Sequence, residues 1–353
     1  LGSILACTGP EIDPPLVISP VGVTPQQSGE TSSIRRNDSD TWAEEEGGNG
    51  TSSGEARVDR GESRGERAET DPSSGGTEGG EKDVELVLQN GDDWTLVVNG
   101  QPFAVVGAGG DQHLERLAET GGNSIRTWGV GPDTLPLLDE AHALGLKVMV
   151  GLWLNHPEWF DYTDSNAVQD QEDALMAYVH QLKDHPALLM WGVGNELALT
   201  VDVPEAWMAI NSLAEAIKEV DAHHPTVAVT ASGIPDKGKK LMQYCPAIDI
   251  WGINQYGGMG MVPQWVEEAG WEKPWVVTEF GPHGPWETQD TSWGADMEAT
   301  SSEKSEMYRR AWVDTISPSM KKACLGGYAF VRTTADDASD TWFPLFRSDG
   351  APT

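Results

Sequence analysis

Leu188-Leu189-Met190-Trp191-Gly192-Val193-Gly194-Asn195-Glu196 is the stretch on which the fold turns. An apolar run broken only by glycine reads as a strand buried on both faces. It stops abruptly at a carboxylate. An unpaired charge is too expensive for a core, so Glu196 belongs at the strand's exit, where the interior gives way to solvent. The same arrangement recurs at Trp275-Val276-Val277-Thr278-Glu279-Phe280-Gly281. Two acids leaving two buried strands predict a carboxylate pair at one end of a parallel sheet.

Working outward from these two runs, six further segments read the same way: Phe103–Gly107, Ser124–Trp128, Lys147–Leu154, Thr226–Ala231, Ile248–Tyr256 and Gly326–Val331. Helical patterns lie between them. Trp207, Ile210, Ala214, Ile217 and Val220 recur at helical spacing, with Pro204 placed for a first turn. Leu135, Leu138, Ala141 and Leu144 form a second stripe, closed by Gly145. Met307, Ala311 and Ile316 belong to the last. Eight strands alternating with helices predict an α/β fold of the (β/α)8 TIM-barrel type, since a doubly wound sheet more often has about six. Gly107-Ala108-Gly109-Gly110 lacks the spacing of a dinucleotide loop and reads as a tight strand exit. Ahead of the barrel, Val84–Leu88 and Trp94–Val98 flank Asn90-Gly91, a favoured turn pair, and predict a β-hairpin.

The chain has 353 residues and a formal net charge of −33. That balance repels nucleic acid and anionic lipid and points to a neutral substrate instead. There are three cysteines, Cys7, Cys245 and Cys324, with no CxxC or Cys/His cluster to indicate a disulfide framework or zinc site. No cofactor or metal is called for. Residues 8–82 are Gly, Ser, Thr, Glu, Asp and Arg with few large apolar groups, so residues 1–82 are expected to be a disordered acidic tether and 83–353 the hairpin and barrel. Leu1-Gly2-Ser3-Ile4-Leu5-Ala6-Cys7 resembles the end of a bacterial lipoprotein signal, with Cys7 the lipidated residue. The expected location is therefore extracytoplasmic, at the bacterial surface or in the periplasm. No stretch of 18 apolar residues is present to span a bilayer.

In a TIM barrel the site is built at the C-terminal strand ends. There the sequence places Arg126-Thr127-Trp128, Trp153 with Asn155 and His156, Asn195-Glu196, Asn254-Gln255-Tyr256, Glu279, and Arg332. Two carboxylates about 5–5.5 Å apart are what a retaining glycosidase needs, one to protonate the leaving oxygen and one to attack the anomeric carbon.

Strand four ending in Asn-Glu and strand seven ending in Glu resemble clan A of the glycoside hydrolases. Gly122-Asn123-Ser124-Ile125-Arg126-Thr127-Trp128 is similar to the second strand of the family 2 barrels of β-galactosidase and β-glucuronidase type, and Asn99-Gly100-Gln101-Pro102-Phe103 to their lead-in. The resemblance implies Glu196 as acid/base, Glu279 as nucleophile, and Asn195 on the sugar 2-hydroxyl. Arg126 would favour the ionised Glu279, and Tyr256 would hydrogen-bond it. A retaining β-glycoside hydrolase acting on poly- or oligosaccharide follows. The alternatives are a transglycosylase on the same barrel or a catalytically inactive carbohydrate-binding protein.

Other residues carry less specific signals. His156 reads either as a sugar ligand or as a loop histidine with a structural hydrogen bond. Trp128, Trp153 and Trp286 are candidates for stacking on substrate, whereas Trp191 and Trp251, inside strands, read as core. His223 and His224 read as surface residues at a helix end. Clan A barrels usually end strand eight in Trp. Here Arg332 stands near that place, with Trp342 ten residues on. Trp342 then folds back as the platform, or Arg332 recognises a uronate or pairs with Asp336 or Asp337.

Overall fold

The computed structural model describes residues 84–89, 91, 93–330 and 341–346. Cys7, the segment up to residue 82, and Arg332 with Asp336 and Asp337 lie outside the described residues. Three short strands come first: β1 (Val84–Leu88), β2 (Trp94–Val98) and β3 (Gln101–Pro102). Then follow β4 (Val105–Gly109), β5 (Ser124–Arg126), β6 (Lys147–Leu152), β7 (Leu188–Asn195), β8 (Thr226–Ala231), β9 (Ile250–Asn254), β10 (Trp275–Phe280) and β11 (Cys324–Ala329). These last eight pair in parallel in sequence order, and β11 pairs back onto β4, so the sheet closes into a barrel without edges.

Helices α1 (Leu114–Glu119), α2 (Thr134–Ala143), α3 (Ser165–Leu182), α4 (Pro204–Val220), α5 (Pro235–Tyr244), α6 (Val262–Ala269) and α7 (Ser301–Arg310) lie between the strands, with the short α8 (Ser317–Ser319) before β11. Helices α2, α3, α4 and α6 turn an apolar stripe inward. In α4, Trp207, Ile210, Leu213, Ala214 and Ile217 are buried, and Pro204 occupies the first turn, where its missing N–H costs nothing. Burying side chains of this size stabilises by roughly 1.5–3 kcal/mol each. Among the described residues, no helix is long and apolar enough to cross a membrane.

A separate cluster fills the cylinder: Val105, Met149, Leu189, Met190, Val227, Val229, Ile250, Val276, Leu325 and Tyr328. Val84, Leu96 and Val98 from the first two strands join it. The Trp94 main-chain N–H donates to the Lys322 carbonyl at 2.9 Å, and its indole donates to that of Glu272 at 3.0 Å. Lys322 and Glu272 precede β11 and β10, so the small sheet closes the N-terminal end of the barrel. The opposite end is left for chemistry.

One local expectation is met and two are corrected. The hairpin forms with its expected strands, Leu88 pairing with Trp94 across residues 89–93, of which Asn90 lies outside the described residues. Gln89 N–H to the Asp93 carbonyl closes that loop at 2.8 Å, and Pro102 and Gln101 extend the pair to a three-stranded sheet. The last helical pattern is interrupted by a π-helix over Ala311–Ile316. The five-residue step between those two buried side chains fits a π turn better than an α turn. His223 is exposed, but His224 is buried and its Nδ1 lies 2.9 Å from Asp221 Oδ2. Trp191, in β7, donates to the same oxygen at 2.8 Å, so the end of α4 is tied to the barrel floor.

Candidate active site

Glu279, the penultimate residue of β10, is 6% exposed and accepts from three groups. Arg126 Nη1 and Trp128 Nε1 donate to Oε1 at 2.7 and 2.8 Å, and Tyr256 Oη donates to Oε2 at 2.7 Å. Every partner is a donor, which suits a carboxylate, an acceptor on both oxygens.

The chain makes this convergence possible by leaving out side chains. A Cβ at Gly109 would sit 2.7 Å from the Trp128 ring, and one at Gly151 only 2.4 Å from the Thr127 carbonyl. Two glycines on flanking strands thus give the turn after β5 room to fold over the rim. Arg126 itself is 1% exposed. It also reaches the Thr278 carbonyl at 3.0 Å and Asn195 Oδ1 at 2.6 Å, linking the ends of β5, β7 and β10.

Glu196 follows β7 in the left-handed region, with φ +54°. That conformation strains a non-glycine residue, and such strain gathers at functional sites. Gly194, at φ +70°, and an irregularity in the β7–β8 register prepare the turn, and the Glu196 N–H bonds the Val229 carbonyl at 2.9 Å. Its carboxyl receives a neutral donor, Asn254 Nδ2, at 2.7 Å. Burial, and then the negative charge of Glu279, push its pKa up to about 7 against the pull of Asn254, Arg126 and Lys237. Two like residues therefore meet unlike surroundings.

Asn254, which the sequence placed at a strand end without a role, joins the two halves. Its Nδ2 faces Glu196 and, at 3.2 Å, Asn195 Oδ1, while its Oδ1 accepts from the Thr278 hydroxyl at 2.7 Å. Strand register sets it opposite both Glu279 and Ala231. The signal available was its position: the first amide after the apolar run Ile250-Trp251-Gly252-Ile253.

Tyr256 is held by burial and the adjacent carboxylate well above the usual phenol range, so its proton stays on. Its ring packs edge-on against Trp286 and Phe330, with centroids 5.8 and 5.7 Å away. Phe330, the first residue past β11, also meets Trp128 edge-on at 5.8 Å. The strand-eight exit is thus occupied by Phe330, two residues earlier than the sequence reading placed the departure. Trp342 donates its indole N–H to the His283 carbonyl at 2.9 Å, joining it to the loop after β10. Glu287, also unassigned from sequence, accepts from the N–H groups of Gly257 at 2.8 Å and Gly284 at 3.0 Å and pins the loops after β9 and β10 together.

His156 lies on the other side, stacked on Trp153 with centroids 5.3 Å apart and planes 30° apart. Burial lowers its pKa, against the opposing pull of Glu158 and of the Asn195 main chain that it abuts. It is therefore neutral around pH 7, and its ion-pair neighbour is Glu158, at 3.9 Å, rather than Glu196 or Glu279. Trp191 and Trp251 are buried in their strands, Trp251 donating to the Thr230 hydroxyl at 2.8 Å.

Residues 133–323 match the family model described as glycosyl hydrolases family 2, TIM barrel domain. The chain belongs to that family. A β-glucuronidase of Paenibacillus borealis is 27% identical over 184 residues, which cover 45% of this chain and 29% of that protein. Among solved structures, a family 2 β-galacturonidase from Eisenbergiella tayi bound to galacturonate aligns with TM-score 0.58 at 18% identity, over 77% of this chain and 52% of that one. A Bifidobacterium dentium β-glucuronidase complexed with coumarin-3-O-glucuronide aligns with TM-score 0.57 at 18% identity, over 76% and 47%. At such identities these structures share the fold. The family 2 barrel described here spans about half the length of these structures and 29% of the curated relative.

Proposed function

We propose that the chain is a retaining β-glycoside hydrolase acting by double displacement. The observation that carries this is the asymmetry between the glutamates. Glu279, gripped by three donors including a guanidinium, is the nucleophile that attacks the anomeric carbon. Glu196, whose carboxyl holds its proton to about pH 7, gives that proton to the departing oxygen. It then withdraws a proton from the water that hydrolyses the glycosyl-enzyme. Asn195 has its side-chain oxygen taken by Arg126 and Asn254, which directs its Nδ2 to the sugar 2-hydroxyl. The relatives' reported ligands make β-glucuronides and β-galacturonides the first substrates to try.

Proton NMR of the first-formed sugar tests the reading. The β-anomer should appear first, and Glu279→Ala should lower turnover of aryl β-glycosides at least about a thousandfold. First appearance of the α-anomer, or an active Glu279→Ala, would refute it. Including a sugar acceptor in the same assay separates hydrolysis from transglycosylation.

A further inference from the structure

The loop after β6 carries three aromatic rings in a row, the first pair stacked and the second tilted. Trp153 meets His156 at 5.3 Å, and His156 meets Trp159 at 6.1 Å with planes 31° apart. The row begins at the barrel rim, where His156 abuts the main chain of Asn195 beside the acid/base. It ends at Trp159, whose side chain is among the more exposed large apolar groups, the residue being 60% accessible. Below it the loop is tied down: Tyr162 donates to the Asn155 carbonyl, and Gln171 accepts from both the Asn155 main chain and its side chain at 2.8 Å. The exposed indole is therefore mounted on a fixed base.

Barrel order gives the row its place in the reaction. The strands run β10-β11-β4-β5-β6-β7-β8-β9 around the ring, so β6 stands four strands from β10 in either direction. The loop bearing Trp159 thus lies diametrically across from the nucleophile and next to the acid. In a displacement at the anomeric carbon the leaving group departs on the side away from the attacking carboxylate, toward the group that protonates it. A flat exposed indole at that position offers the face on which the C–H surface of a pyranose packs. We propose that Trp159, backed by His156 and Trp153, is the binding platform for the sugar on the leaving-group side of the scissile bond, which makes the substrate an oligosaccharide or polysaccharide. This rests on the assignment of Glu279 and Glu196 above.

The test compares two leaving groups. A panel of β-glucosyl, β-galactosyl, β-mannosyl, β-glucuronosyl and β-galacturonosyl fluorides identifies the accepted sugar, and fluoride itself is too small to touch Trp159. The disaccharides of that sugar β-linked to glucose supply a pyranose leaving group. Trp159→Ala should leave kcat/KM on the fluoride within about twofold and lower it on the disaccharides about three- to tenfold, chiefly through KM. Trp159→Phe, which keeps a ring, should recover most of that loss. Equal losses on both substrates, or no loss on the disaccharides, would overturn the platform while leaving the glutamates' roles intact. Absence of any Glu279-dependent fluoride turnover would overturn the catalytic reading and the platform together.

Discussion

Replacing Glu196 by Gln should stabilise the protein in alkali and not in acid. The substitution preserves shape and keeps an oxygen for the Asn254 Nδ2 donor that now lies 2.7 Å away, so it removes little besides the ionisable proton. The folded state raises the carboxyl from its ordinary 4.5 to about 7. Between those values the folded chain holds a proton that the unfolded chain has released, so stability falls as pH rises through the window and levels off above it. At about 1.4 kcal/mol for each tenfold in proton affinity, that rise in pKa corresponds to about 3 kcal/mol. The residue retains some solvent contact, which lowers the expected gain to about 2 kcal/mol. Urea unfolding of wild type and Glu196→Gln at pH 4.5 and pH 8.5 measures it directly. The variants should match at the lower pH, and Glu196→Gln should lead by about 2 kcal/mol at the higher. A constant difference at both values would show that Glu196 ionises normally in the fold and would refute the argument.

Other consequences can be measured alongside. The basic limb of kcat/KM on alkyl glycosides, which need a proton at the leaving oxygen, should fall with an apparent pKa of about 7 and flatten on glycosyl fluorides. Tyr256→Phe keeps the ring packing but removes one of the three donors to Glu279, so kcat should fall about ten- to a hundredfold with little change in urea midpoint. Asp221→Ala strands the buried Trp191 indole and His224 ring and should cost about 2–4 kcal/mol in urea while kcat is unchanged. Burial works against the Asp221 carboxylate, but hydrogen bonds from His224 and Trp191 outweigh it and hold the pKa below the usual 3.8. The stability Asp221 confers should therefore be present at neutral pH and disappear only as pH falls below that value.

Barrel and acid pair were legible because each rests on a one-dimensional signal. Apolar runs mark buried strands, and a Glu that ends one must leave the interior or find partners there, as Glu279 does with Arg126, Trp128 and Tyr256. Contacts between strands left no such trace. Asn254 looked like any strand-ending amide, since its importance lies in facing Glu196 on one side and Thr278 on the other. Phe330 was passed over because one residue of register decides which side chain occupies a strand exit, and a run such as Ala329-Phe330-Val331-Arg332 does not announce it. His224 was misplaced for a related reason. Sequence shows a helix end, but only the fold brings Asp221 and Trp191 up to it.

Asn254 has a consequence for how a sugar enters. The Arg126 guanidinium, which can only donate, lies 3.5 Å from Asn254 Oδ1 and fixes which end of that amide points at Glu196, and the Thr278 hydroxyl donates to the same oxygen. The cup is thereby polarised, so on the roles proposed for the two glutamates a glycoside bound back to front would present its bridging oxygen to a base and its electrophilic carbon to an acid. One guanidinium inside the barrel wall thus enforces a single productive heading on whatever chain is threaded above it.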